Sequence, residues 1–207
     1  MSESAMSTPG NRETGGGRPQ RADARSNRER ILNVAEEVFG KGGESASTEE
    51  VARLANVGIA TVFRHFPTKA ALLEAVLVQR FDRLRTQAEA LLHATDPGTA
   101  FFDFFRHLVA DATGKIAITE ALLEAGGDHG SDAAQASDGL RRAVGALLQQ
   151  AQRAGAVRND VELPEVYALL VATSRASAHA HLQEEVRDRM LAIVFDGLAP
   201  RRTSRRR

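Results

Sequence analysis

Apolar residues return every three or four positions along most of the chain, and strict apolar–polar alternation is essentially missing, which predicts an all-α fold. The first clear run is Ile31, Leu32, Ala35, Val38 and Phe39, beginning after Arg25 and stopped by Gly42-Gly43. Ser47-Thr48-Glu49-Glu50 reads as a capping box, with Ser47 as N-cap and Glu50 three residues on. It opens a short second helix with Val51, Leu54 and Ala55 on its apolar face. Asn56 breaks that helix, asparagine being the non-glycine residue most tolerant of the left-handed conformation. A third helix runs from about Ile59 to His65, because Pro67 pushes Phe66 out of the helical region. Thr68 caps a fourth, carried by Leu72, Leu73, Val76, Leu77, Phe81, Leu84, Ala88, Leu91 and Leu92 to about His93.

The remainder also reads as helices. One covers about 98–113 and contains Phe101, Phe102, Phe104, Phe105, Leu108 and Val109; a shorter one covers about 115–125 and ends at Gly126-Gly127. A Gly-, Asp- and Ser-rich loop precedes a helix at about 134–154, stopped by Gly155. Two more follow at about 164–181 and 184–197, with Pro164 in a first turn. The expectation is about nine helices with no internal repeat. Residues 1–20 are too polar to bury a core and are expected to be disordered. The chain divides into that segment, a head at 21–70 from which the fourth helix leads out at 68, a body at 71–200, and a basic tail at 201–207.

Composition narrows the function. A hydrophobic fraction of 43% suffices for a real core. The absence of cysteine excludes disulfides and thiolate metal sites and fits a reducing compartment. No apolar run approaches the roughly 18–20 residues that span a bilayer, and the polar N-terminus is unlike a signal peptide, so a soluble, cytoplasmic protein without membrane partners is expected. Net charge is zero but unevenly spread. Residues 1–69 hold ten Lys/Arg against nine Asp/Glu, residues 70–200 twelve against eighteen, and the tail five against none. Arg18, Arg21, Arg25, Arg28 and Arg30 crowd one stretch. This asymmetry permits nucleic-acid contact near the N-terminus and equally fits a solvated surface.

Two short helices joined by a three- or four-residue turn, braced on both sides, describe a helix-turn-helix unit. A recognition helix needs compact side chains at its start to approach the major groove, and Gly58, Ile59, Ala60 and Thr61 supply them. Ile59 and Ala60 are suited to thymine methyls or to core packing, and Thr61 to a base edge or phosphate. Beyond these considerations, residues 48–76 resemble the DNA-binding head of the tetracycline-repressor (TetR) family. Val51-Ala52-Arg53-Leu54-Ala55, Val57, then Thr61-Val62-Phe63-Arg64-His65-Phe66 with Lys69 carry the resemblance, together with the Ile31-Leu32 and Ala35-Glu36-Glu37-Val38-Phe39 of the first helix. In detail it covers about residues 21–77; further on, only helix number, order and length are similar.

The resemblance implies a regulator, usually a repressor, that binds a palindromic DNA operator as a homodimer and is released by a small molecule. His65 falls where the family contacts the DNA backbone. Lys69 is unfavourable beside the positive end of a helix dipole unless a phosphate faces it. Arg64 suits a base, a phosphate or solvent; Ser47 and Thr48 suit phosphate contact or capping alone; Arg25 and Arg28 suit the minor groove, phosphates or solvent. Asn56 replaces the glycine usual in the turn. Phe63 replaces the commonest tyrosine, removing a hydroxyl that touches phosphate and hence one backbone bond per half-site.

In the body, the last two long helices of the family pair with their copies in a four-helix bundle. Val166, Leu169, Leu170, Thr173 and Ser177, then Val186, Met190, Ile193 and Val194, give apolar stripes suited to it. The phenylalanine-dense run occupies more than one helical face, so Phe101, Phe104 and Phe105, with Leu108 and Leu122, are candidates for a ligand cavity as well as for ordinary core. Tyr167, Arg175 and His107 are available polar handles. No cofactor and no metal site is expected. Enzyme chemistry has little support: Asp128-His129 and Ser131-Asp132 share a loop without the geometry of a nucleophile and base, and His179 and His181 point to different helix faces. A ligandless architectural DNA binder is the other rival, against which the acidic body argues.

Overall fold

The computed structural model describes residues 18–42, 46–128 and 130–200, with side chains from residue 23 onward. The expectations for residues 1–17, the basic tail, the side chains of Arg18 and Arg21, Gly43 and His129 lie outside these. Among the described residues there are eight helices and no strand: α1 (Arg18–Lys41), α2 (Thr48–Leu54), α3 (Ile59–His65), α4 (Lys69–Leu91), α5 (Pro97–Glu124), α6 (Ser131–Arg153), α7 (Leu163–His179) and α8 (Glu184–Leu198).

The expected pair of helices at 98–113 and 115–125 is one continuous α5. A glycine inside a helix costs only about 1 kcal/mol, which a long packed helix can absorb. At Gly114 the helix lies against α1: a Cβ built there would stand 3.7 Å from the carbonyl oxygen of Gly40 and 3.4 Å from the Arg80 guanidinium. The first helix also begins earlier than its apolar periodicity, at Arg18.

Local punctuation works as the residue types dictate. The Ser47 hydroxyl accepts from the Glu50 N–H at 3.2 Å. The reciprocal half of that capping box is not made: the Glu50 carboxylate turns to Arg53, at 2.8 and 2.6 Å. Asn56 sits at φ 51° in the turn. Phe66, extended at φ −136°, ends α3 ahead of Pro67, and the Thr68 hydroxyl accepts from the Ala71 N–H at 3.0 Å to start α4. Asp96 caps α5 in the same way through Thr99, with Pro97 in the first turn.

Among the described residues one apolar cluster runs from Ile31 and Phe39 through Val51, Val62 and Phe66, along α4, and on to Val166, Leu191 and Leu198. Helix α4 is its spine, packing on α1 at one end and along α5 and α6 further on, while α5 also lies against α1 and α7. Where α1, α4 and α5 meet, Arg80 is buried, its side chain 5% exposed. Its guanidinium donates to Glu36 of α1, and to both the carbonyl and the carboxylate of Asp111 on α5 at 2.6 Å. Arg83 adds two bonds to the same Glu36, at 2.7 and 2.6 Å. Burial alone would raise the Glu36 carboxyl, but the hydrogen bonds and charges of Arg83 and then Arg80 outweigh it and hold the group below its ordinary value.

Candidate DNA-binding face and effector cavity

Helix α3 turns one side chain fully inward, Val62, and Phe66 closes its end at 3% exposure. That inward pair fixes the opposite face. Ile59 at 37% and Phe63 at 43% exposure stand one turn apart, with Ala60 and Arg64 exposed and Thr61 and His65 partly so. Gly58 precedes them as the N-cap, without a side-chain cap of its own. Two exposed apolar side chains among small and basic ones, on a helix pinned by a rigid core, form a surface suited to a groove edge. Ile59 and Ala60 are therefore not core residues.

The flanking candidates are held in distinct ways. Ser47 is occupied by capping, and Thr48 is buried at 7% exposure at the start of α2, a helix packed against α1. The Lys69 ammonium stands over the Phe39 ring, 5.2 Å from its centroid. Arg28 lies over the Phe66 ring at 5.2 Å, and Arg25 pairs with Glu29 on the open surface at 3.1 Å. Arg30, in sequence one more member of a basic run, ties α1 to α2: its Nε donates to the Ala55 carbonyl at 2.8 Å, satisfying the end of α2 just before the turn. A basic residue facing a helix C-terminus across the fold leaves no local sequence signal.

In the body, α4, α5, α6 and α7 enclose a cavity of about 580 Å³. Of the residues expected there, Leu108, Tyr167 and Arg175 do line it. Phe101, Phe104, Phe105 and Leu122 do not: they are 1–4% exposed within the core. Phe105 packs edge-on to Phe195 of α8 at 5.5 Å, and Phe102, half-turned outward, meets the same ring at 4.7 Å. The first half of α5 thus seats the terminal helix, and its second half, from Leu108 through Ala112, Lys115 and Thr119, faces the cavity. Sequence reasoning passed over Lys115, whose ammonium lies over the Phe81 ring at 5.2 Å, and Arg80, which lines the cavity while holding Glu36 and Asp111.

The stripe expected for subunit pairing is also divided. Leu170, Thr173 and Ser177 are buried at 6–8% exposure, and Val166 completely, on a helix that packs against α5, with Leu170 also lining the cavity. Thr173 returns its hydroxyl to the Leu169 carbonyl at 2.8 Å. The outward face carries Leu169 at 37%, with Ala168, Ala172 and Ala176 beside it, and on α8 Val186 at 39% and Ile193 at 74%. Met190 and Val194 are intermediate.

With this geometry in place, comparison with known proteins decides the family. Residues 31–76 match the profile of the bacterial regulatory proteins of the tetR family. Residues 96–200 match that of the SbtR-like transcriptional regulators, C-terminal domain. The TetR transcription regulatory protein from Mycobacterium vanbaalenii, a crystal structure, is 39% identical, with 88% of this chain and all of that one aligned at a TM-score of 0.73. The chain belongs to the TetR family. Relatives include an HTH-type transcriptional regulator of Staphylococcus aureus, 32% identical over 78 residues, or 36% of this chain and 40% of that protein. The HTH-type transcriptional regulator UidR of Escherichia coli is 26% identical over 159 residues, 72% of this chain and 78% of UidR. This TetR-family chain is accordingly a helix-turn-helix transcriptional regulator, all-helical throughout its described residues. Among those residues no helix is long and apolar enough to cross a membrane.

Proposed function

We propose that the protein binds a two-fold symmetric DNA operator as a homodimer, inserts α3 of each subunit into the major groove, and loses operator affinity when a small molecule fills the cavity of the body. It acts as a repressor and not as an enzyme. The observation that carries this reading is the exposed face of α3, where Ile59, Ala60, Phe63 and Arg64 project from a helix held from behind by Val62 and Phe66. A single small head offers few contacts, and two heads on one axis double them. The outward face of Leu169, Val186 and Ile193, with its alanines, supports pairing of α7 and α8 with a second copy. The Arg80 junction supports coupling, since one guanidinium belongs to the cavity wall and also holds helix α1 of the head. A ligand that prefers the form with badly spaced heads weakens DNA binding by its differential affinity, tenfold for roughly 1.4 kcal/mol.

Fluorescence anisotropy of the full chain on genomic fragments, including DNA next to its own gene, at two salt concentrations tests this reading. Selective binding to a palindromic fragment, two chains per site and persisting at the higher salt, is expected. Uniform weak binding abolished by salt would overturn it in favour of an architectural DNA binder.

A further inference from the structure

The cavity wall is charged in an unbalanced way. Arg80 and Asp111 both line it, but they are committed to each other at 2.6 Å. Glu120, an exposed residue, is the remaining carboxylate on the wall, and His179 sits at the exposed end of α7. Lys115 and Arg175 are left as cations, and neither meets a carboxylate in an ion pair among the described residues. Lys115 is partly buried and rests against the Phe81 ring. A cation withdrawn from water without a counter-charge is unfavourable. In agreement, burial first, and then the like charges of Arg80 and Arg175, push the Lys115 ammonium below its ordinary value. The wall also carries hydrocarbon, Leu84, Leu108, Leu140 and Val144, together with the hydroxyls of Thr119, Ser137, Tyr167 and Ser174.

We propose that the cavity takes an amphipathic organic acid, its carboxylate set between Lys115 and Arg175 and its apolar body against Leu108, Leu140 and Val144. This rests on the reading of the cavity as the effector site and names the chemical class of the effector. A volume of about 580 Å³ suits a ligand of roughly drug size, since such sites span about 300–1,000 Å³. The acid supplies the charge that the wall lacks. It also places that charge beside Arg80, whose existing carboxylate partners are Glu36 and Asp111. The ligand therefore competes for the guanidinium that ties α1 to the body.

Isothermal titration calorimetry on the full chain tests this with octanoate, decanoate, dodecanoate and 2-naphthoate. The corresponding alcohols and decyltrimethylammonium serve as neutral and cationic counterparts. At least one acid is expected to bind roughly tenfold to a hundredfold more tightly than its alcohol, the ratio expected of one charged hydrogen bond. Lys115→Met should abolish that preference and leave the alcohol's affinity in place, and Lys115→Arg should preserve it. Should Lys115→Met fail to fold by circular dichroism, Arg175→Gln at the exposed rim should reduce the same ratio by severalfold. Acids no tighter than alcohols, a preference untouched by Lys115→Met or Arg175→Gln, or binding of the ammonium compound in place of the acids would overturn the proposal and leave an effector site of other chemistry. Binding by no compound would remove the effector site as well. Operator anisotropy on the same preparation shows separately whether the DNA-binding half stands.

Discussion

Replacing Arg80 by alanine removes the centre of the junction between α1, α4 and α5. Glu36 is left with its side chain 14% exposed and one cation in place of two; Asp111, 26% exposed, loses its partner but can rehydrate. Deleting one member of a buried ion pair costs about 3–5 kcal/mol, mostly because the other charge is stranded. Arg83 still bonds Glu36 at 2.7 and 2.6 Å, which places this case at the low end, about 3 kcal/mol. A chain of this size loses roughly 2–4 °C of Tm per kcal/mol, so thermal unfolding followed by far-ultraviolet circular dichroism should fall by about 6–12 °C. Protomer concentration has to be held fixed, because dimerisation adds its own stability. Arg83→Ala is the internal comparison: its side chain is 42% exposed, and a screened surface partner is worth about 1 kcal/mol or less. The double variant Glu36→Gln with Arg80→Met leaves no carboxylate at position 36, and the more exposed Asp111 and Arg83 can rehydrate, so part of the loss should be recovered. An Arg80→Ala melt within about 3 °C of the parent protein, or no lower than that of Arg83→Ala, would refute the reasoning.

Five further variants have expected outcomes. Thr61→Val should weaken operator binding in anisotropy with little change in Tm, whereas Lys69→Ala should weaken all DNA alike and flatten the salt slope by about one per half-site; an unaltered slope means that Lys69 touches no phosphate. Gly98→Ala would set a Cβ 2.5 Å from that of Ala156 and should cost about 1–3 kcal/mol by urea denaturation. Gly114→Ala meets only ordinary contacts, 3.4 Å or more, and should gain up to about 1 kcal/mol from helix propensity. A stabilised Gly98→Ala or a destabilised Gly114→Ala would contradict this packing. Glu36, held below its ordinary value of 4.5, contributes stability that is fully present above that value and is lost as pH falls through the lowered one. Glu36→Gln should therefore show a shallower loss of Tm below pH 4.5 than the parent. Parallel acid limbs would argue against a titrating Glu36.

The helix ends marked by a cap or a breaker were legible because they are decided by neighbours in sequence. Ser47, Thr68, Pro67 and Gly155 each act within four residues of the backbone group they satisfy or block. The outward face of α3 was legible for the same reason, since Val62 and Phe66 had already claimed its inner side. Facing was not legible where both sides of a helix are apolar. On α7, periodicity joins Val166, Leu169, Leu170 and Thr173 in one stripe, and only the position of α5 separates the buried three from Leu169. The phenylalanine cluster failed similarly: a ring has the same chemistry against Phe195 as against a ligand. Lys115 and Arg80 were passed over because a charged residue on a helix reads as solvated. The burial of Arg80 depends on Glu36, 44 residues before it in the chain, and Lys115 rests on the Phe81 ring of another helix.

The Arg80 junction also bears on how this protein can be re-engineered. Exchanging reading heads between relatives is an attractive way to build new sensors, and a cut near residue 70 looks natural for it. Here such a cut separates Glu36 from Arg80 and Arg83, and divides an apolar cluster that runs unbroken across the seam. A grafted head therefore has to bring a carboxylate at position 36 and a matching underside for α4 and α5. Without them the hybrid can be expected to recognise its DNA while its body goes unheard.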